Sequence, residues 1–495
     1  MILRFYPIGK MKNILIITLI VLSVLINIFS FNKVHDWGDD FAGYVIQAKT
    51  IHTGNYSDLR ASIEKNDFIL NYPWGFPFLI SPVIKYFDGS IIIVKIYIYL
   101  FFLLALIVIF YLFRKNRETA LLTVLLVSSS PYFWEFKNNI LADIPNLFFV
   151  LLTLFFTNRF LTERKTIINE YFTCFIIGLL IYISYMMRSQ SIVLLPAVIL
   201  VQVLIFRRDL FTLKRLLIIL IPILVFLFFV ILSGILIPVK PVTYLDQYAN
   251  LQLGKTVWEN ISYYVNVWTE LFATTDGINN FAAIFTGFFI TFVLVGVSIA
   301  LRQNILFVSF FSFSMMLVLI TPFRQGVRYL VPLVPFFFYF FITGFRYAVY
   351  HIYRRKKFKH LVYYSVTGLI ILLSVKSILV YSYQSITSPP EREGPYKKTS
   401  IEMFNYIRNI SSKNEIIAFL KPRAMLLYTG RNCIVPLSYE ECIDREVDYF
   451  VYYKNAINNI EQLTLESIES HKDSFLEIFR NDDFIVFKVK RPPDS

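Results

Sequence analysis

The sequence predicts an all-α polytopic membrane protein that ends in a small α/β domain, and three observations lead there. Of 495 residues, 56% are hydrophobic and 18% aromatic but only 17% are charged, a balance too apolar for a soluble domain of ordinary composition. Apolar runs such as 13–31, 91–113 and 216–238 recur at the length of roughly 20 residues that a helix needs to cross a bilayer core. Beyond about residue 384 the long runs stop, and short alternating stretches take their place.

The first apolar run follows Arg4, Lys10 and Lys12, a start that also suits a secretory signal peptide. It is long, however, and passes through Phe29, Ser30, Phe31 and Asn32 with no small-residue cleavage site, so it reads as a retained first helix. The net charge of +14 raises the question of a nucleic-acid partner, and its distribution answers it. The short polar breaks at 1–13, 114–118, 159–170, 207–215, 302–304 and 346–360 are strongly basic, and their surplus alone exceeds the net charge of the chain. Cytoplasmic loops carry such an excess, so no nucleic acid is needed to explain it, and no basic stripe with interleaved aromatics remains. With the N-terminus inside, alternation at each run gives about eleven spanning helices, and every basic break falls on the cytoplasmic side. Residues 1–384 then form a membrane domain in a bacterial plasma membrane. Its outer face carries a large first loop at 32–90, a turn at 135–143 and a loop at 239–280, and residues 385–495 form an extracytoplasmic α/β domain.

Inside the first outer loop, Phe41, Tyr44, Val45 and Ala48 stand at helical spacing between Asp40 and Thr53. The aromatic turn Tyr72-Pro73-Trp74-Gly75-Phe76-Pro77 opens a second short apolar stretch, and both suit helices lying in the membrane interface. A Pro-, Ser- and Glu-rich linker at 385–395 leads into the tail. There the pattern gives helices at 400–409, 423–428 and 457–470, strands at 415–420, 433–436 and 447–453, and a terminal hairpin at 481–483. Cys174 suits an apolar helix core, whereas Cys433 and Cys442 either pair outside the cytoplasm or stay free thiols. The chain shows no internal repeat, which counts against a transporter built from duplicated halves.

The chemistry-bearing residues gather at the outer ends of the spans. Asp39 and Asp40 follow the first helix, where a carboxylate can take the proton of an attacking hydroxyl; an acidic helix N-cap is the alternative. Asp143 stands at the outer start of another helix with Pro145 two positions on, which is either helix-start chemistry or a second functional acid. Arg188, Arg324 and Arg328 are the scarce outer cations, suited to gripping a phosphate or else snorkelling at the interface. The five histidines show no metal-ligand spacing, no divalent metal or other cofactor is indicated, and neither a glycine-rich phosphate loop nor a nucleophile elbow is present.

Taken in order, Asp39-Asp40 with Tyr44 and Ala48, the 72–77 aromatic turn, Asp143-Ile144-Pro145, Arg188 and Arg328-Tyr329-Leu330-Val331-Pro332 resemble the C-type (GT-C) membrane glycosyltransferases. That group contains the protein O-mannosyltransferases and the lipid A aminoarabinose transferases. The resemblance covers the first ten or so helices. It implies a C-type fold and inverting transfer of a sugar from a polyprenyl-phosphate donor to a lipid, glycan or protein acceptor hydroxyl. It further implies a base at Asp40 or Asp39, Asp143 as a second acid, the donor phosphate on Arg188, Arg324 and Arg328, and substrate contacts from Tyr44, Tyr72, Trp74 and Tyr329. A membrane transporter or lipid flippase without enzymatic activity is the other reading.

Overall fold

The computed structural model describes residues 8–38, 40–65, 72–162, 170–237, 239, 252–270, 280–353, 355–387, 394–435, 438–454 and 465–490. The first helix, α1 (Ile8–Phe29), leads to three short helices in the predicted outer loop, α2 (Asp40–Thr53), α3 (Tyr56–Lys65) and α4 (Gly75–Tyr86). The bundle continues through α5 (Ile91–Phe113), α6 (Arg117–Ser128), α7 (Pro131–Lys137), α8 (Asp143–Thr162), α9 (Glu170–Met187), α10 (Leu194–Phe206) and α11 (Leu213–Leu236). It closes with α12 (Leu253–Glu270), α13 (Asn280–Gln303), α14 (Ile305–Ile320), α15 (Val334–Ile352) and α16 (Lys356–Thr387).

Among the described residues, six helical segments are long and apolar enough to cross a membrane, and 13–29, 305–320 and 358–373 are shorter apolar helices. The expectation of about eleven spans treated each apolar run as one helix, and one run departs from that for a local reason. Pro131, which has no amide hydrogen to donate, starts α7 and divides one apolar run into α6 and α7. Arg188, which the sequence places between two apolar runs, adopts an extended backbone and separates α9 from a 3-10 turn, Ser189–Val193, that leads into α10.

The tail folds as α17 (Lys398–Ile410), β1 (Ile416–Ala418), α18 (Pro422–Thr429), β2 (Asn432–Ile434), α19 (Tyr439–Asp444), β3 (Tyr449–Tyr453), α20 (Leu465–Ser470), β4 (Phe475–Arg480) and β5 (Phe484–Val489). The strands form one mixed sheet in the order β2-β1-β3-β5-β4, parallel as far as β3 and antiparallel beyond it. The predicted helix at 457–470 is described only as α20, the residues before it lying outside the described ones, and α19 is an element the sequence pattern did not give. Cys433 packs in one core of this domain and Cys442 in the other, and both are free thiols, so their pairing is not realised.

The tail is fastened to the outer loop at several points. Trp37 inserts its indole among Phe404, Phe419, Tyr453 and Phe484, with ring centroids 5.8–6.3 Å apart. Ser62 of α3 donates to the Asn432 side chain at 3.0 Å, and Arg423 of α18 reaches α2. The stretch before α2 is fixed from the membrane side by buried lysines. Lys95 of α5 donates to the carbonyls of Asn32 and Val34, and Lys137 of α7 donates to that of Ser30. Buried ammonium groups persist only with such acceptors, so these contacts tie the segment leading to Asp40 to the helical body.

Candidate active site

Asp40 opens α2, whose buried residues include Phe41, Tyr44, Val45 and Ala48, the spacing the sequence showed, together with Ala42, Gly43, Gln47 and Thr50 on the other sides. Tyr72 is brought to this helix by Gln47, which accepts from the Tyr72 amide at 3.2 Å and donates to its carbonyl at 3.0 Å. Gly43 leaves room for that approach, because a β-carbon there would stand 2.8 Å from the Tyr72 ring. Gly75 serves the same purpose between α4 and α9: a β-carbon would meet the Met186 backbone at 2.5 Å, two residues before Arg188. The site end of α8 is held to the turn after Arg188 by Ser191, which donates to the Asn146 side chain at 2.7 Å. Arg328 sits on the 3-10 turn Gly326–Tyr329, and Tyr263 of α12 accepts from the Gly326 amide at 3.0 Å.

These elements bring two carboxylates and three guanidinium groups into a chain of contacts. Arg188 donates to Asp143, whose side chain is fully buried. Arg328 donates to Asp40 at 2.6 Å and also stands 3.7 Å from the second Asp143 oxygen. Arg423 approaches Asp40 from the tail domain at 2.9 Å, and the Tyr72 hydroxyl donates to the same carboxylate oxygen at 2.6 Å. One positive charge is left over, so the cluster is suited to receive an anion. Burial by itself would raise the Asp40 carboxyl, but the charges of Arg328 and Arg423 and the hydrogen bonds from Tyr72 and Arg328 outweigh it and hold the pKa at about 2. Burial pushes the Tyr44 and Tyr72 phenols up, so both stay protonated, Tyr72 as a donor to Asp40.

The other predicted residues are distributed around this cluster. Tyr44 packs against Tyr72 at 4.4 Å, and Arg188 lies over the Tyr329 ring at 5.7 Å. Trp74 is fully buried in a separate apolar cluster with Leu59 and Val239, and its indole donates to the Val239 carbonyl at 3.1 Å. Arg324 engages Glu259 at 2.5 Å and Asn260 at 3.2 Å, both on α12. Asp39 lies outside the described residues. Among the described residues, no group of three His, Cys, Asp or Glu side chains converges as a metal site. Sequence reasoning missed Arg423, which sits in the first turn of α18, where a cation opposes the helix dipole. That misfit was the only signal available, and it is a weak one.

Residues 71–233 match the family described as dolichyl-phosphate-mannose-protein mannosyltransferase. A search of curated proteins finds no match. In fold, the chain is similar to ArnT from Cupriavidus metallidurans in the apo state, with TM-score 0.59 and 11% identity, covering 97% of this chain and 99% of that one. It is also similar to ArnT from the same organism bound to undecaprenyl phosphate, with TM-score 0.56, 12% identity and the same coverage. A third similar structure is the archaeal oligosaccharyltransferase AglB from Archaeoglobus fulgidus, in complex with an inhibitory peptide and a dolichol-phosphate. There the TM-score is 0.53 and the identity 12%, over 89% of this chain and 70% of that one.

Proposed function

We propose that this chain, a membrane glycosyltransferase with the C-type fold, transfers a sugar from a polyprenyl-phosphate carrier to an acceptor hydroxyl by direct, inverting displacement at the extracytoplasmic face. The observation that carries this reading is the bridge of Arg328 between Asp40 and Asp143. Across its longer arm, Asp143 Oδ2 and Arg328 Nε are buried and have no hydrogen-bond partner among the described residues. Buried polar atoms in that condition call for an explanation, and a ligand that completes the bonding supplies one here. The lipid phosphates bound in the ArnT and AglB structures support a donor of the same chemistry.

In this mechanism the acceptor oxygen bonds to the anomeric carbon and its proton passes to the Asp40 carboxylate, with Asp39 the neighbouring base candidate. The carbon–oxygen bond to the carrier breaks, and the phosphate leaves as a monoester whose added charge falls on Arg188 and Arg328. Arg324, at the edge of the same loop, serves the phosphate on its approach. A carboxylate held at about pKa 2 is ionised but a feeble base. When the donor phosphate takes up part of Arg328, Asp40 loses a stabilising contact and its proton affinity rises. Donor binding thereby prepares the base. Asp143 keeps Arg188 oriented, Tyr44, Tyr72 and Tyr329 supply the aromatic walls against which the substrate rests, and Trp74 anchors the turn after Tyr72 through its bond to the Val239 carbonyl.

The direct test is incubation of the purified chain with a panel of radiolabelled polyprenyl-phosphate sugars. One donor should yield transferred label with inverted anomeric configuration; retention, or no transfer from any donor, would overturn the mechanism. With that donor, Arg188→Ala should raise KM about tenfold to a hundredfold, the worth of one hydrogen bond between charged groups. Unchanged donor kinetics would leave Arg188 a structural partner of Asp143.

Arg423→Gln tests the tail's contribution. Removing its charge lets the Asp40 pKa climb from about 2 toward the ordinary carboxylate value, so the acid limb of kcat/KM should move to higher pH. The stability that Asp40 contributes follows the same sign: it is complete above the unfolded pKa, is lost as pH falls through the folded value, and should be smaller in the variant. A limb that does not move would separate Arg423 from the base.

A further inference from the structure

A second polar site lies at the opposite end of the helical body. Lys95 of α5 touches the segment leading to Asp40, and Phe113 of the same helix, ~27 Å further along at ~1.5 Å per residue, lines a cavity of about 390 Å³. Lys115, Asn116, Asn304 and Arg346 are among its polar walls, and among the described residues no acidic side chain lines it. Arg346 Nη1 is buried and has no hydrogen-bond partner among the described residues, while the guanidinium lies over the Tyr350 ring at 5.7 Å. The nearest acid in sequence, Glu118, hydrogen-bonds Tyr364 and does not line the cavity.

A guanidinium N–H left buried and unbonded is destabilising, and an anion seated in the cavity supplies its acceptor. Two features narrow the choice of anion. Asn116 caps the start of α6 by accepting from the Thr119 amide, and the arginine fork and lysine beside it match phosphate. Phe113 and Tyr339, stacked at 4.2 Å, form an apolar wall beside those cations, as a lipid headgroup with its glycerol and first acyl carbons requires. The basic breaks at 114–118 and 346–360 border the cavity, and such breaks face the leaflet that carries anionic lipid.

We propose that this cavity binds the phosphate headgroup of an anionic membrane lipid, at the face opposite the sugar-transfer site. The test titrates the full-length chain in zwitterionic detergent with dioctanoyl phosphatidylglycerol, dioctanoyl phosphatidylcholine and inorganic phosphate. The wild-type chain should bind phosphatidylglycerol at least about tenfold more tightly than the other two ligands. Arg346→Gln should lose about tenfold in that affinity and Lys115→Gln severalfold, while Arg188→Ala, at the transfer site, leaves it unchanged. Lys115 is exposed on a turn, so its variant decides the matter if Arg346→Gln fails to fold. Equal affinity for the two lipids, or phosphatidylglycerol binding unaffected by Lys115→Gln, would overturn the proposal. Inorganic phosphate binding as tightly as phosphatidylglycerol would overturn the lipid assignment.

Discussion

An Asp40→Asn chain should lose sugar transfer by about 10³- to 10⁴-fold in kcat, near the upper end of what a positioned base contributes. The substitution keeps the shape of the side chain and an oxygen acceptor for Arg423 and Tyr72, while the Arg328 bond to the other oxygen is lost; Gln47 still holds Tyr72 to α2, so the loop should fold as before. It also removes one negative charge from a cluster that already carries a positive surplus. The donor phosphate should therefore bind at least as tightly, and KM for the donor should hold or fall while kcat collapses. That split distinguishes loss of the base from loss of a scaffold residue, because a scaffold defect raises KM as well. A rate within tenfold of wild type would remove Asp40 from proton transfer and turn attention to Asp39.

Arg328→Gln should affect rate and stability together. Arg328 is the cation shared by both carboxylates, so its loss leaves Asp40 to Arg423 and Asp143 to Arg188, with Asp143 still fully buried. Removing one partner of a fully buried pair costs about 3–5 kcal/mol. Because 24% of the Arg328 side chain is exposed, the expected loss is smaller, about 2–3 kcal/mol, readable by denaturation in detergent. The donor loses a fork at the departing phosphate, and kcat/KM should fall about 10²- to 10³-fold, the loss seen when one preorganised donor is removed. Arg328→Lys separates the two effects. A point charge should recover part of the stability but little of the rate, since one ammonium cannot hold Asp40, Asp143 and a phosphate at once. Full activity in the lysine variant would mean that charge alone, without the fork, is sufficient.

Much of the architecture could be read along the chain because it rests on local pattern. Apolar runs of membrane length located the main helices, and the alternating tail gave β1, β2, β3 and the β4–β5 hairpin close to their positions. The Tyr72–Pro77 turn and the Asp40 helix were legible for the same reason, since each is a spacing within one segment. Where the pattern failed, the cause was also local. Pro131 interrupts an apolar stretch without a loop around it, and window hydropathy passes over such a break.

The sequence by itself determined that this is a membrane protein, where its helices lie and which acids and arginines stand at one end of them. Only the tertiary structure decided which of those charges meet. Arg328 joins Asp40 and Asp143 across 288 and 185 positions of chain, Arg324 goes to α12, Trp74 packs in an apolar cluster, and Arg423 arrives from the C-terminal sheet region 383 residues away. Periodicity reports which face of a helix is buried, but a charge pair depends on the distance between two such faces. That distance is set by packing details such as the missing β-carbon of Gly75 against Met186, which no single segment contains.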